Sequence, residues 1–193
     1  LYNTITKEEI NISEHKGPMK NAGCVFNKKA SMVYFLSDYQ REFVGLASYN
    51  IKTGKLGWEV LEKWDITNYT LSHNEKSLLY TTNENGTTKL KLKNLKSGKT
   101  KILKLPKGHC ISYSYTKDDK KIVLIFDSPQ NPNDIYVYDV KKEKFTQITF
   151  SMIGGIPKND LIIPQDIKYK SFDGQEIYGY LYLPKGIKKD GTN

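Results

Sequence analysis

Three ten-residue segments of the chain align with one another without gaps: FNKKASMVYF at 26–35, LSHNEKSLLY at 71–80 and YTKDDKKIVL at 115–124. Each begins with an apolar or aromatic residue and a small polar one, followed by a polar turn and an apolar run. A second landmark keeps the same phase: YNIKTGK at 49–55, KNLKSGK at 93–99 and YDVKKEK at 138–144. Both landmarks recur every 44 or 45 residues, so the chain contains a structural repeat.

The repeat unit is predicted to be β-structure. Ala occurs three times and Tyr 14 times, a bias that favours pleated sheets over helices. Pairs such as Asn85-Gly86 and Ser97-Gly98 indicate hairpin turns, because Gly accepts a positive φ. The middle unit therefore divides into four strands, at 69–72, 77–82, 89–95 and 100–105. Four-stranded units of this length are typical of β-propeller blades, which stack on one another.

Two strands carry specific expectations about burial. Lys89–Lys93 alternates lysine with leucine, which predicts one buried face and one face in water. Ile122–Phe126 is apolar throughout, which predicts a strand covered on both faces by neighbouring sheets.

The expected fold class is all-β, a partial β-propeller of about three and a half blades with a C-terminal β-hairpin linker. Residues 1–150 are assigned to the propeller, with blades at 22–61, 68–105 and 111–150 and a half blade at 1–20. Residues 151–193 are assigned to a linker and the first hairpin of another domain. Propellers typically close with four to eight blades, so we expect the sequence to be a piece of a longer protein.

The net charge of +9 raises the question of an anionic partner. Arg41 is the only arginine among the 30 basic residues, whereas nucleic-acid surfaces usually contain several. The lysines are also spread along the sequence, so a solvated surface is expected, with no nucleic-acid partner. No apolar run approaches the roughly 18 residues that span a bilayer and no signal peptide is seen, so we expect a cytoplasmic protein without a membrane partner.

No residue is assigned a catalytic, cofactor-binding or metal-binding role, and no cofactor is expected. The histidines lack partners at recognisable spacing, and the aspartates are expected in turns, where their local hydrogen bonds are favoured. The two tryptophans are expected to pack between blades, and the two cysteines are expected to be buried free thiols. The residues weighed in this way are His15, His73, His109, Asp118, Asp119, Asp127, Asp134, Trp58, Trp64, Cys24 and Cys110.

The segment after the repeats has a different pattern, IIPQDIKYKSFDGQEIYGYLYLPKGIKKDGTN at 162–193. Asp173-Gly174 joins two alternating runs, 167–171 and 176–183, which predicts a β-hairpin. The preceding stretch, 150–161, contains Gly154-Gly155 and Pro157 and is predicted to be a linker.

This order of segments resembles the prolyl oligopeptidase family of serine peptidases, on its acylaminoacyl-peptidase and dipeptidyl-peptidase side. In that family a strand, "S-x-DG", a second strand and "G-x-L-x-x-P" follow the propeller. The matching residues here are Ser171, Asp173, Gly174, Gly179, Tyr180, Leu181, Tyr182 and Pro184. The turns at 72–76 and 116–120 also resemble the family's "S-P-D-G-K" turn, without its Pro or Gly.

The resemblance implies a propeller that gates an α/β-hydrolase domain and admits short peptides, which are hydrolysed by acyl transfer to a serine. The implied partners are the peptide substrate and the hydrolase domain. The family's G-x-S-x-G elbow does not occur in this sequence, so the segment itself is not expected to catalyse.

Two alternatives remain open. The first is a non-catalytic binding scaffold, like the Tol-system or WD-repeat propellers, because one fold hosts many functions. The second is a glycan lyase or hydrolase with its site on the propeller axis. That enzyme would need paired acidic or His residues at equivalent blade positions, and no such set is seen.

Overall fold

The computed structural model describes residues 1–187. Residues 188–193, the end of the segment assigned to the linker and hairpin, lie outside the described residues. Three four-stranded antiparallel sheets follow one another along the chain. Their strands are β1 (Asn21–Phe26), β2 (Met32–Ser37), β3 (Gly45–Asn50) and β4 (Lys55–Val60), then β5 (Ile66–Leu71), β6 (Ser77–Glu84), β7 (Thr87–Asn94) and β8 (Thr100–Ile102), then β9 (His109–Tyr115), β10 (Lys121–Ser128), β11 (Asn131–Asp139) and β12 (Lys144–Gln147).

Each sheet is a simple meander, because every strand pairs with the strands that precede and follow it in sequence. A fourth, two-stranded sheet is the hairpin of β13 (Gln165–Lys170) and β14 (Glu176–Leu181), whose turn contains Gly174 at φ +84°. A short 3₁₀ turn at Lys158–Asp160 precedes it. The all-β fold of four-stranded antiparallel blades with a C-terminal hairpin is therefore confirmed.

The core lies between sheets rather than within one. One apolar layer joins the first two sheets, with Tyr34, Leu46 and Leu78 among its buried members. A second layer joins the second and third sheets through residues such as Leu79 and Leu124. Since neighbouring residues of β6 serve different layers, the second sheet is covered on both faces. This is the stacking that propeller blades need, because a single sheet leaves one apolar face in water.

The expectation for Lys89–Lys93 is wrong in one respect. Leu90 packs into the layer toward the third sheet, as the alternation indicates. Lys91, on the face expected in water, is only 6% exposed. Its ammonium group lies 3.1 Å from Glu62 Oε1 and 2.8 Å from Glu84 Oε1. The first sheet covers this face too, so the charge of Lys91 is buried and paired.

The expectation for Ile122–Phe126 also needs correction. Ile122, Leu124 and Phe126 are buried against the second sheet, but Val123 is 37% exposed and Ile125 is 38% exposed. Successive side chains of a strand point to opposite faces, and among residues 1–187 no sheet covers the far face of β10. Only one face of this strand is therefore buried.

Residues 1–10 form a small hairpin whose single bridge pairs Tyr2 with Glu9, and Leu1 and Ile12 pack on the first sheet. Among residues 1–187 there is no helix whose length and apolarity would let it cross a membrane.

Candidate functional site

A cleft of about 480 Å³ lies between the third sheet and the C-terminal hairpin. The loops β6–β7, β8–β9 and β10–β11 form one wall, and residues of β13 and β14 form the other. Because the sheets are meanders, all three loops lie at the same edge of their sheets. The residues that define its shape and charge are Gly86, Lys107, Gly108, His109, Phe126, Asp127, Gln130, Tyr136, Asp166, Tyr180 and Tyr182.

Tyr180 fixes the hairpin to the propeller loops. Its hydroxyl group donates to the carbonyl of Asn85 at 2.9 Å and lies 3.0 Å from Thr87 Oγ1. Its ring lies against Gly86, where a Cβ atom would meet Tyr180 Cε2 at 2.9 Å. Gly86 also has a φ of +76°, so this turn requires glycine for both its backbone conformation and its contact with the ring. An ion pair between Lys107 and Asp166 adds a second contact.

The floor of the cleft is aromatic and closely packed. Phe126 and Tyr136 are buried and meet edge to face, with 5.6 Å between their ring centroids. Tyr136 also stacks on Phe145, with 4.5 Å between their ring centroids. Gly108 lies so close to this floor that a Cβ atom would fall 2.0 Å from the carbonyl oxygen of Asp127. The floor is therefore closely packed and apolar, with polar groups around it, as in many small-ligand sites.

His109 is the histidine of the cleft, and both of its ring nitrogens have neighbours. Nε2 lies 2.8 Å from the carbonyl oxygen of Gly86, to which it donates, and Nδ1 lies 3.4 Å from Asp127 Oδ1. The three histidines of residues 1–187 contact carbonyl or carboxylate oxygens, and none contacts a hydroxyl or thiol group. These residues therefore contain no nucleophile–base pair of the kind that activates a serine. His109 instead joins the β6–β7 loop to β10.

Asp127 and Asp134 do not lie in turns as expected, but in β10 and β11. Asp134 is only 3% exposed. Its carboxylate accepts bonds from Thr149 Oγ1 at 2.7 Å and from both the backbone N–H and Oγ of Ser151 at 3.0 Å. Burial opposes ionisation, but these bonds and one from Gln147 hold the pKa of Asp134 below its ordinary value. Asp134 thereby anchors the start of the linker.

Asp119 joins two neighbouring sheets. It occupies the turn of the third sheet and accepts the backbone N–H groups of His73 at 2.7 Å and Asn74 at 2.8 Å in the equivalent turn of the second sheet. Burial works in the opposite direction, but these bonds and the His73 ring hold the pKa of Asp119 below its ordinary value. Glu75 repeats the arrangement by accepting the backbone N–H of Lys28 in the first sheet.

These carboxylates explain the departures from the "S-P-D-G-K" turn. Asp119 and Glu75 stand at the glycine position, with φ of +57° and +56°. His73 and Lys28 stand at the proline position, and unlike proline they offer an N–H group. No local signal predicts this partnership, because His73 and Asp119 are 46 residues apart.

The arginine, cysteine and tryptophan side chains lie outside the cleft lining. Arg41 donates to the carbonyls of Phe43 at 3.2 Å and Glu62 at 3.0 Å and lies over the ring of Trp58. Cys110 is buried, which raises its pKa to about 12. Cys24 is exposed, contrary to expectation, because every residue of β1 is exposed. Trp58 belongs to β4 and is half-buried beside Phe35 and Ala47 on one face of the first sheet, and Trp64 is half-buried in the β4–β5 loop.

Residues 28–151 match the family described as the prolyl oligopeptidase N-terminal β-propeller domain. The match covers more than half of the chain and includes nearly all of the three sheets.

Solved structures share the fold at low sequence identity. A prolyl endopeptidase superposes with a TM-score of 0.75 at 17% identity, covering 93% of this chain and 26% of that one. Prolyl oligopeptidase B from Galerina marginata superposes with a TM-score of 0.74 at 17% identity, covering 91% of this chain and 25% of that one. TolB from Acinetobacter baumannii superposes with a TM-score of 0.60 at 18% identity, covering 91% of this chain and 40% of that one. The chain thus spans about a quarter of the two oligopeptidases and less than half of TolB.

Proposed function

Because the chain belongs to the prolyl oligopeptidase N-terminal β-propeller family, we propose that it is the gating and substrate-access part of a serine peptidase that hydrolyses short peptides. The observation that supports this most is the hairpin β13–β14, which follows the sheets and is held on their loops by Tyr180. A propeller that acts only as a binding scaffold has no need for a hairpin that leads from its last sheet to another domain.

The proposed division of the chain follows the expectation from sequence. Residues 1–150 form part of the propeller, and residues 151–193 form a linker and the first hairpin of an α/β-hydrolase domain. The anchoring of Ser151 by Asp134 supports a boundary near this point, because it ends the third sheet with a fixed bond. The contact of Tyr180 with Asn85 supports a hydrolase domain that begins on the loop edge of the propeller.

The proposed role of these residues is access rather than bond cleavage. The closely packed sheets form a wall that a folded protein does not enter, and the loops beside the cleft lie where a short peptide reaches the neighbouring domain. The acyl transfer, from peptide to serine and then to water, belongs to groups that we do not assign within residues 1–193. The close packing of Gly108, Phe126 and Tyr136 at the floor supports selection by size, because it leaves no further space there.

The likeness to TolB supports the second candidate, a non-catalytic propeller that binds a ligand or protein. On that account the cleft between hairpin and loops is itself the binding site.

One experiment separates the two candidates. The full-length gene product is treated with a fluorophosphonate probe for active serines, and the labelled residue is located by mass spectrometry. The peptidase proposal expects labelling of one serine outside residues 1–193. A full-length protein that never labels, in a preparation shown to be folded, would leave the binding propeller as the better account.

The gating role has its own test. The active enzyme is given a short fluorogenic peptide and the same sequence displayed in an exposed loop of a folded carrier protein. Gating predicts cleavage of the free peptide only, and equal cleavage of both would refute it.

A further inference from the structure

The edge of the sheets that faces away from the cleft is rich in lysine. We call it the lysine edge and define it by the loops that follow the first and third strands of each sheet. These loops are residues 27–31, 51–54, 72–76, 95–99, 116–120 and 140–143. In a meander, the loops after the first and third strands lie at one edge and the loop after the second strand lies at the other.

The loops of the lysine edge are connected to one another by hydrogen bonds. In each sheet its two loops are joined at the same place, by Ile51 N to Ser31 O at 3.0 Å, Leu95 N to Lys76 O at 2.9 Å and Val140 N to Lys120 O at 3.1 Å. Between sheets, Asp119 and Glu75 bind the backbone of the neighbouring turn. All six loops have four or five residues, so none of them projects far beyond the others.

The positive charge of the chain is concentrated on this edge. Its loops hold ten lysines and four carboxylates, a net charge of +6 with His73 neutral. The loops at the opposite edge, 38–44, 61–65, 85–86, 103–108 and 129–130, hold four basic and four acidic residues, a net charge of zero. A general compositional preference for lysine would enrich both edges. The ten lysines are Lys28, Lys29, Lys52, Lys76, Lys96, Lys99, Lys117, Lys120, Lys141 and Lys142.

These ammonium groups are available to a partner. All ten lysines are exposed, and within the described part of the chain only Lys120 forms an ion pair, with Asp118 at 3.7 Å. The carboxylates are already engaged. Asp119 and Glu75 accept backbone N–H groups, and Glu143 pairs with Lys101 and Lys104 outside the edge.

We propose that the lysine edge is an interaction surface for a bilayer that carries anionic headgroups. Lysine ammonium groups are strongly hydrated point charges, and such clusters are attracted to anionic lipid surfaces. The edge loops contain no arginine to fork onto phosphates or bases and no Phe, Tyr or Trp side chain to stack on bases, and their one imidazole, that of His73, is bound to Asp119. Charges spread over six short loops of three neighbouring sheets fit a broad anionic surface better than they fit the narrow backbone of a nucleic acid.

The attachment would be peripheral and reversible. The apolar residues of the edge loops, Ile51, Leu95 and Val140, are half-buried and not directed out as anchors. In this orientation the cleft, at the opposite edge, remains open to solvent. The sequence does not predict this surface, because its lysines are spread along the chain. Only the meander topology brings their loops to one edge.

The test uses the full-length protein and sedimentation with vesicles of phosphatidylcholine, with or without phosphatidylserine. We expect binding only to the vesicles with phosphatidylserine, and a fall of at least about tenfold in partitioning when NaCl is raised from about 0.05 M to about 0.5 M. The variant Lys52→Glu/Lys96→Glu/Lys141→Glu, with one change in each sheet, should reduce partitioning at least about tenfold.

The matched control Lys16→Glu/Lys63→Glu/Lys170→Glu makes the same change in net charge outside the edge and should bind nearly as well as the unmodified protein. Equal losses in both variants would overturn the proposal, because net charge alone would then explain binding. Absence of binding by the unmodified protein would also overturn it and leave a solvated surface. Tighter binding to duplex DNA than to the anionic vesicles, through the same lysines, would assign the edge to a different partner.

Discussion

Asp119 and His73 lie in equivalent turns of neighbouring sheets, and the Asp119 carboxylate contacts both the backbone N–H of His73 at 2.7 Å and its Nδ1 at 2.9 Å. The side chain of Asp119 is only 10% exposed, so water competes little for these bonds. The turn that elsewhere in the family uses proline and glycine here uses a carboxylate and the N–H group that it binds.

Removing this carboxylate should loosen the second and third sheets. We expect Asp119→Ala to lower the free energy of unfolding by about 2–3 kcal/mol, because two backbone N–H groups lose a charged acceptor. Denaturant titration followed by tryptophan fluorescence measures the change.

Ala30 provides a control, because it holds the same turn position in the first sheet with a φ of +48°. Ala30→Gly should raise the free energy of unfolding by about 0.5–1 kcal/mol, since glycine tolerates this backbone conformation better. Asp119→Gly should fall between the two results, and a gain in stability for Asp119→Gly would show that the bonds to His73 and Asn74 contribute little.

Asp134 should control the order of the linker. Asp134→Asn keeps an amide oxygen for Thr149 and Ser151 but loses the negative charge that strengthens these bonds, so the backbone N–H of Ser151 should exchange with solvent at least about tenfold faster. Hydrogen exchange with mass spectrometry over 148–156 measures this. Asp139→Asn removes a carboxylate that binds only its own turn, at Lys141 and Lys142, and should leave the exchange of Ser151 unchanged.

The same carboxylate predicts a pH dependence. The folded pKa of Asp134 lies below the ordinary value of 3.8, so its bonds stabilise the fold at neutral pH and are lost as the pH falls through that lower value. In an NMR titration, the carboxyl carbon of Asp134 and the amide of Ser151 should share one midpoint below 3.8. A midpoint above 3.8 would mean that burial outweighs the hydrogen bonds.

Lys91 should be costly to remove alone. Lys91→Met leaves Glu62 and Glu84 facing each other without their cation, and we expect a loss of about 2–4 kcal/mol in the free energy of unfolding. The triple variant Lys91→Met/Glu62→Gln/Glu84→Gln should recover most of that loss, as denaturant titration would show. If the triple variant is no more stable than Lys91→Met, packing around Lys91 matters more than charge.

Tyr180 should hold the hairpin on the propeller loops. Tyr180→Phe keeps the ring against Gly86 but loses the hydrogen bonds to Asn85 and Thr87, so hydrogen exchange in the β6–β7 loop and β14 should increase. Tyr178→Phe, which removes a hydroxyl group bonded to Glu176 and Lys168 within the hairpin itself, should have no effect on the loop. Equal exchange in both variants would place the hairpin's anchor elsewhere.

Sequence patterns predict the strands well because the position of each strand depends on residues that are close to it in sequence. The turn at 72–76 and the apolar run after it suffice to locate a hairpin wherever the repeat occurs. Burial is harder to predict, since alternation separates two faces without showing what covers each of them. Lys91 is covered by the first sheet, and Val123 is not covered by any sheet of the described residues.

The candidate site is not predictable from local pattern at all. The cleft depends on contacts such as Tyr180 with Asn85, 95 residues apart, and His109 with Gly86, 23 residues apart. Two glycines mark the cleft in the sequence, because a side chain at Gly86 or Gly108 would collide with its walls. Sequence alone does not separate them from glycines that serve only a turn.

The bonds from Asp119 and Glu75 to the preceding turns also restrict how these repeats evolve. A proline at position 73 would deprive Asp119 of its donor, and a glycine at position 119 would leave the N–H of residue 73 without its acceptor. The two positions belong to different repeats, so a favourable change in one depends on the state of the other. The repeats are therefore coupled in pairs, and exchanging one of them for a copy with the Pro–Gly turn would require a compensating substitution in its neighbour.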